Sequence, residues 1–414
     1  MSPQPPTSSR DVIFACSGTV AGWGGALSVA RGLIAECRRR DLTTLLLGTT
    51  WQRPAGDADD PAQYDVPLRR RPILWRVPSW HLAGQLARHL RHLPPPRHAF
   101  VAQSMHWVVA ARRAWPNARI IYVYPCLLSH CLPCTWSPHR APSLWQRADL
   151  AGIRHAEHLA LAAADLVLLP SRASWREAQA FHPTATQRLA LCHFTCPSAD
   201  ADPAERRRQR HALAVPDDGL LALAVGVCDH NKSFDWLLRE WTHLDGREHV
   251  VIVGDGPEFA ALAAQAEAAG LSERVHFVGG HPHIGPFYAA ADCIVSTSLY
   301  ENFGLTLLEG MARGRPAIVP RHNPPAVRAG FAEVITAEGG GLVYDREQPG
   351  ALAAAIRRLS QEPGLLAILG DQARTLASHR SSWADCLNQI LGLDEPTTPA
   401  DNACPTQLVE STPV

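Results

Sequence analysis

Two glutamates, Glu301 and Glu309, stand on either side of a glycine in a stretch whose residue types could do chemistry. After Gly304, Leu305, Leu307, Leu308 and Met311 recur at helical spacing, and Gly314 with Pro316 ends the run. Glu301 therefore falls in the loop before a helix, and Glu309 about one turn inside it. A helix opening at Gly304 leaves the N–H groups of Phe303, Gly304 and Leu305 without intrahelical acceptors, which predicts an anion site. A phosphate there would repel a carboxylate, so Glu301 and Glu309 read as acceptors for ligand hydroxyls beside it. A ligand with both phosphates and many hydroxyls, such as a nucleotide sugar, fits that set. A plain helix start with two solvated glutamates fits the spacing as well.

The second candidate is a cation. Basic charge is carried by 38 Arg and a single Lys, Lys232. A compact ammonium in a chain that otherwise uses arginine marks a site for a point charge, and the chance survival of one lysine fits the count as well. Lys232 lies in the loop Gly226–Ser233, between an apolar strand at 220–225 and a helix at 234–241. The same order of strand, glycine loop, helix and strand opens the chain: a strand at 11–16, the loop containing Gly24 and Gly25, a helix at 27–40 and a strand at 42–47. That unit is the repeat of dinucleotide-type α/β folds, and the glycine pair lets backbone approach a ligand closely.

The wording Glu301-Asn-Phe-Gly with Leu308-Glu-Gly-Met-Ala-Arg-Gly-Arg-Pro resembles the E-x7-E signature of the retaining, family-4 type glycosyltransferases. Val253-Gly-Asp-Gly-Pro and the segment Ala164-Asp-Leu-Val-Leu-Leu-Pro-Ser171 are similar to further motifs of that family. The resemblance implies a GT-B architecture, two Rossmann-like α/β domains facing across a cleft, with a C-terminal helix crossing back to the N-terminal domain. It divides the chain into an acceptor-binding domain at 11–197, a linker at 198–216, a nucleotide-sugar-binding domain at 217–377, the crossing helix at 378–393 and a disordered tail at 394–414. It also assigns roles. Glu309 would hold the nucleotide ribose, and Glu301 with Lys232 would be catalytic. Asn302, Phe303, Gly304, Leu305 and Gly226 would position the donor, with Gly24 and Gly25 lining the cleft. The expected reaction is metal-independent glycosyl transfer with retention, without a cofactor, from a UDP- or GDP-linked sugar. Another GT-B enzyme, an epimerase or phosphorylase, and a non-catalytic donor-binding protein are the alternatives.

Departures from the family are equally specific. Val227 replaces an expected phosphate-binding Arg, Tyr124-Pro125 replaces a functional His, and Cys192-His-Phe-Thr-Cys-Pro replaces an Asn-Gly turn. His106 and His130 are the nearby substitutes for the missing imidazole. The run Cys126-x4-Cys131-x2-Cys134-x4-His139 has zinc-ligand types but irregular spacing, and with Pro133 and Pro138 it reads as an extended loop of free thiols. Asp57, Asp59 and Asp60 read as a polar loop.

The net charge is zero, which gives no global reason to expect nucleic acid as a partner. From Arg69 to Arg119, however, there are ten Arg, five His and no acid, a stretch suited to peripheral contact with an anionic membrane. No apolar run approaches the roughly 18 residues of a membrane span. The eleven scattered Cys read as reduced thiols, so the expected place is the cytoplasm or the inner membrane face. Polysaccharide, lipid carrier and small natural product all remain open as acceptors.

Overall fold

The computed structural model describes residues 8–16, 25–50, 63–68, 79–123, 126–136, 142–192, 194, 202–244, 246–281, 283–324, 326–379, 382–395 and 398. Short, continuously apolar runs form the first sheet: β1 (Val12–Ala15), β2 (Thr44–Thr50), β3 (Gln63–Pro67), β4 (Ala99–Ala102), β5 (Ile120–Val123), β6 (Leu166–Leu169) and β7 (Leu189–Leu191). They lie in the order β3-β2-β1-β4-β5-β6-β7, and every pairing is parallel. Runs such as Val-Ile-Phe-Ala do not alternate because helices cover both faces of a parallel sheet.

A second parallel sheet holds β8 (Leu220–Val225), β9 (Glu248–Val253), β10 (Val275–Gly279) and β11 (Cys293–Val295). A small ribbon joins β12 (Tyr300–Glu301) to β14 (Arg328–Ala329), while β13 (Ala317–Pro320) and β15 (Gly341–Tyr344) complete the sheet in the order β10-β9-β8-β11-β13-β15. Strand order reverses beside β8, where β11 pairs with it, and ligands of open α/β sheets bind at the carboxyl ends of strands around such a point. The loop leaving β8 carries Lys232, and the loop leaving β11 leads into β12, which ends on Glu301.

The helix Trp383–Leu391 crosses back onto the first domain. Arg40 donates to Asn388 Oδ1 at 2.7 Å and to the Ala384 carbonyl at 3.1 Å, and Arg119 Nε donates to the Ile390 carbonyl at 3.0 Å. A methyl group on Gly32 would sit 2.4 Å from the Trp383 indole, so that glycine sets how closely the helix docks. Phe194 and Phe331 pack on Phe303 with ring centroids 5.6 and 5.9 Å apart, joining the two domains through an apolar contact.

Three expectations change here. The linker stretch contains a helix, Pro203–Ala212, N-capped by Asp202. It docks through charge: Arg206 and Arg210 both pair with Asp292, at 2.5 and 3.1 Å. The cysteine stretch is also helical, over Leu128–Cys134, because Pro133 lies in the last turn and Glu157 accepts the Leu128 and Ser129 N–H groups at the first. The thiols are not all free, since Cys192 and Cys386 form a disulfide across a sequence separation of 194. Opening so long a loop corresponds to about 5 kcal/mol in the chain-entropy account. Cys386→Ser is therefore expected to lower the unfolding midpoint by several degrees, and reductant to do the same to the parent, both read by calorimetry. Of the expected disordered tail, all but residues 394, 395 and 398 lie outside the described residues.

Candidate functional site

Lys232 is held by its own loop. Its N–H donates to Asp229 Oδ1 at 3.0 Å and its carbonyl accepts from Thr297 Oγ1 at 2.7 Å. The stem runs against Gly226, where an added methyl would meet Lys232 Cε at 2.6 Å, so a side chain at 226 would displace the ammonium. Arg346 ties the two loops together through Ser233 Oγ at 2.5 Å and the Thr297 carbonyl at 2.8 Å.

The ammonium ends on Glu301, with Nζ 2.8 Å from Oε2. The other carboxylate oxygen accepts the Gly304 N–H at 3.1 Å, and the Phe303 N–H also donates to this carboxylate. Burial pushes the Glu301 carboxyl up, but the Lys232 charge and hydrogen bond and the two N–H groups outweigh it, leaving the group below its ordinary 4.5. Lys232 moves the other way: burial lowers it, Glu301 raises it, and the net direction is up.

This geometry corrects the sequence reading at one point. Phe303 and Gly304 do present N–H groups at the start of the helix Leu305–Met311, but a carboxylate of the chain itself takes them. Glu301 is thus a counter-charge inside the anion site rather than a neighbour beside it. Gly304 adopts φ 71°, which favours glycine at that position.

Glu309 projects from the same helix, and its Oε2 accepts the Tyr288 hydroxyl at 2.7 Å. Asn302 and Phe303 are buried, and the backbone rather than the side chain of Phe303 faces the Glu301 carboxylate. Leu305 begins the helix, and Gly226 directly follows β8, against the Lys232 stem. Of the cleft pair, Gly25 begins the helix Gly25–Arg39, whereas Gly24 lies outside the described residues. Tyr124, Pro125, His139 and the Asp57–Asp60 loop also lie outside them.

Across from the ion pair stands the helix Leu128–Cys134. Cys126 and Cys131 are hydrogen-bonded to one another, and Cys131 feels both Lys232 and Glu301. No group of three or more potential metal ligands occurs among the described residues. His130 reaches the cleft, with Nδ1 2.6 Å from Glu177 Oε1. His106 is enclosed in the first domain, where burial pushes its imidazole down to about 4, so it is neutral at physiological pH. Tyr288, Asn231, Tyr300 and Glu177 were missed in the sequence. Each is an ordinary residue in its local context and meets the site only through the fold.

Comparison with known proteins gives a family match in the second half of the chain. Residues 205–376 match the family Glycosyl transferases group 1. They form a glycosyl transferases group 1 domain. Among curated relatives, the lipopolysaccharide core biosynthesis glycosyltransferase LpsD of Rhizobium meliloti is 33% identical over 156 residues, covering 38% of this chain and 43% of LpsD. D-inositol 3-phosphate glycosyltransferase 2 of Catenulispora acidiphila is 31% identical over 206 residues, covering 45% and 46%. The matches thus span less than half the length of these relatives. Solved structures extend the likeness in fold to nearly the whole chain. HepE of Anabaena, solved with UDP and glucose, gives a TM-score of 0.71 at 18% identity, covering 93% of this chain and 99% of HepE. Sucrose-phosphate synthase of Thermosynechococcus elongatus gives 0.73 at 21% identity, covering 93% and 98%. The two parallel sheets and the returning helix are the GT-B fold.

Proposed function

We propose that this protein is a glycosyltransferase that moves a sugar from a nucleoside diphosphate to an acceptor hydroxyl, with retention and without a metal. The observation that carries this reading is the Lys232–Glu301 pair at the carboxyl ends of β8 and β11, inside the glycosyl transferases group 1 domain. Lys232 is the cation that stabilises charge on the departing diphosphate. For a phosphate to reach it, Glu301 releases the ammonium and turns to hydroxyls of the donor sugar. Glu309, already accepting from Tyr288, takes the ribose with its second oxygen. The C1–O bond to the diphosphate breaks as the acceptor oxygen bonds C1 on the same face, and the acceptor proton passes to the leaving phosphate oxygen. No protein base is required in this step.

UDP is the first nucleotide to test, because HepE was solved with UDP and with UDP-glucose. Calorimetry with UDP, GDP and ADP, each in chelator, is expected to give one tight binder. Release of that nucleotide from its glucose conjugate should persist in chelator. Failure of all three to bind sinks the reading.

The working place in this proposal is a membrane surface. Among the described residues no helix is long and apolar enough to cross a membrane. Surface docking has a different face available: Leu144 and Trp145, each 82% exposed, begin the helix Leu144–Ala163. Its outward side also carries Arg147, Arg154 and His155 and no exposed acid, the pattern of an interfacial helix on anionic lipid. The basic stretch at 69–119 adds exposed Arg88, Arg91, Arg97 and His98. Trp145→Ala is expected to cut co-sedimentation with phosphatidylglycerol vesicles severalfold, with neutral vesicles bound by neither protein; equal sedimentation of parent and variant refutes the face.

A further inference from the structure

Glu177 lies outside the glycosyl transferases group 1 domain, on the helix Arg172–Phe181 of the first domain, yet it reaches the chain beside Glu301. Its Oε2 accepts the Tyr300 hydroxyl at 2.7 Å, and its Oε1 lies 2.6 Å from His130 Nδ1 and 3.8 Å from Arg328 Nε. The Tyr300 oxygen also accepts the Leu127 N–H at 3.2 Å. The phenol therefore spends its single proton on Glu177 and a lone pair on the first domain's backbone. Tyr300 is 3% exposed, so no water substitutes for these partners without rearrangement.

The backbone of Tyr300 is equally committed. Its N–H donates to Asn231 Oδ1 at 2.9 Å, and its carbonyl accepts from Asn231 Nδ2 at 3.2 Å. Tyr300 immediately precedes Glu301, and Asn231 immediately precedes Lys232. The two members of the ion pair are thus cross-tied by their neighbours, and the tie is anchored to the opposite domain by Glu177. A second contact, the ion pair of Arg176 with Glu333, fixes the same helix to the second domain.

We propose that Glu177 is a positioning residue, which sets the orientation of Glu301 from the acceptor-side domain through Tyr300 and so couples domain closure to the geometry of the ion pair. The inference rests on the reading of Lys232 and Glu301 as the donor site. Its consequence is a split between binding and turnover. Groups that recognise the nucleotide lie within the second domain, whereas the angle between sugar and acceptor depends on both. A displacement of about 1 Å at reacting atoms can cost on the order of 100-fold in rate.

The experiment measures UDP affinity by calorimetry and UDP release from a UDP-sugar in Glu177→Ala, Glu177→Gln, Tyr300→Phe and the double variant Glu177→Ala/Tyr300→Phe. Glu177→Ala is expected to lower kcat about 30-fold or more, with UDP affinity within about threefold of the parent. Glu177→Gln keeps an acceptor oxygen for the phenol and should recover most of the loss. Tyr300→Phe should match Glu177→Ala, and the double variant should be no worse than either, because both break one link. Parent-like kcat in Glu177→Ala, equal losses in affinity and kcat, no rescue by glutamine, or additive losses would each overturn the proposal. If Glu177→Ala fails to fold, Glu177→Gln and Tyr300→Phe decide the same question. A parent protein that binds UDP and turns over, with unaffected variants, defeats this inference alone; a parent that binds no nucleotide defeats the donor-site reading and this inference with it.

Discussion

Glu301→Ala is expected to lower nucleotide-sugar turnover by about 1,000-fold or more while leaving UDP affinity within about tenfold. The affinity should persist because the variant frees the ammonium of Lys232 and the N–H groups of Phe303 and Gly304, all donors suited to phosphate. The turnover should not, because Glu301 is the carboxylate of this loop that would orient the sugar hydroxyls. Full activity in the variant would remove Glu301 from the mechanism. Stability gives a second readout. Losing one member of a fully buried pair costs about 3–5 kcal/mol. With side chains 21% and 26% exposed, the expected cost is nearer to about 1–3 kcal/mol.

The pH dependence of that cost has a defined sign. Glu301 is lowered from 4.5, so its share is present above 4.5 and is lost as pH falls through the depressed value. Lys232 is raised from 10.5, so its share is present below 10.5 and is lost as pH rises through the elevated value. The melting difference between parent and Glu301→Gln should therefore be flat between those two ordinary values and shrink only outside them. A difference that changes steadily across neutrality would contradict the pairing.

What could be read from the sequence follows from how local the determining physics is. The strands announce themselves because both faces of a parallel sheet are covered, so Val12–Ala15 and Leu166–Leu169 are apolar at every position. The Glu301 and Glu309 stretch is legible because loop, glycine and helix are consecutive. The partner of Glu301 is not, since Lys232 stands 69 residues away and meets it only where β8 and β11 adjoin. Tyr300 and Glu177 are 123 residues apart and on different domains. The helix Pro203–Ala212 looks like a solvated linker because Arg206 and Arg210 hold it on Asp292, with little contribution from an apolar stripe. Pro133 reads as a breaker, but the last turn of a helix tolerates it better than the middle does.

Lys232→Met should weaken UDP binding about 10- to 100-fold, the equivalent of about 1.4–2.8 kcal/mol. Binding of uridine, which lacks phosphate, should stay unchanged, and that contrast separates lost charge recognition from a damaged fold. Methionine keeps most of the stem that lies on Gly226, so the loop retains its packing. The carboxylate of Glu301 loses its cation but keeps the Phe303 and Gly304 N–H groups, which limits the collapse of the site. Lys232→Arg should not restore binding. The guanidinium is a planar fork and needs lateral room, whereas the stem here runs so close to Gly226 that even one added methyl would stand 2.6 Å from Cε. Gly226→Ala should accordingly reproduce part of the methionine phenotype from the other side of the contact. If arginine at 232 binds UDP as well as lysine does, the loop does not demand a compact cation. The survival of one lysine in a chain of arginines would then carry no chemical meaning.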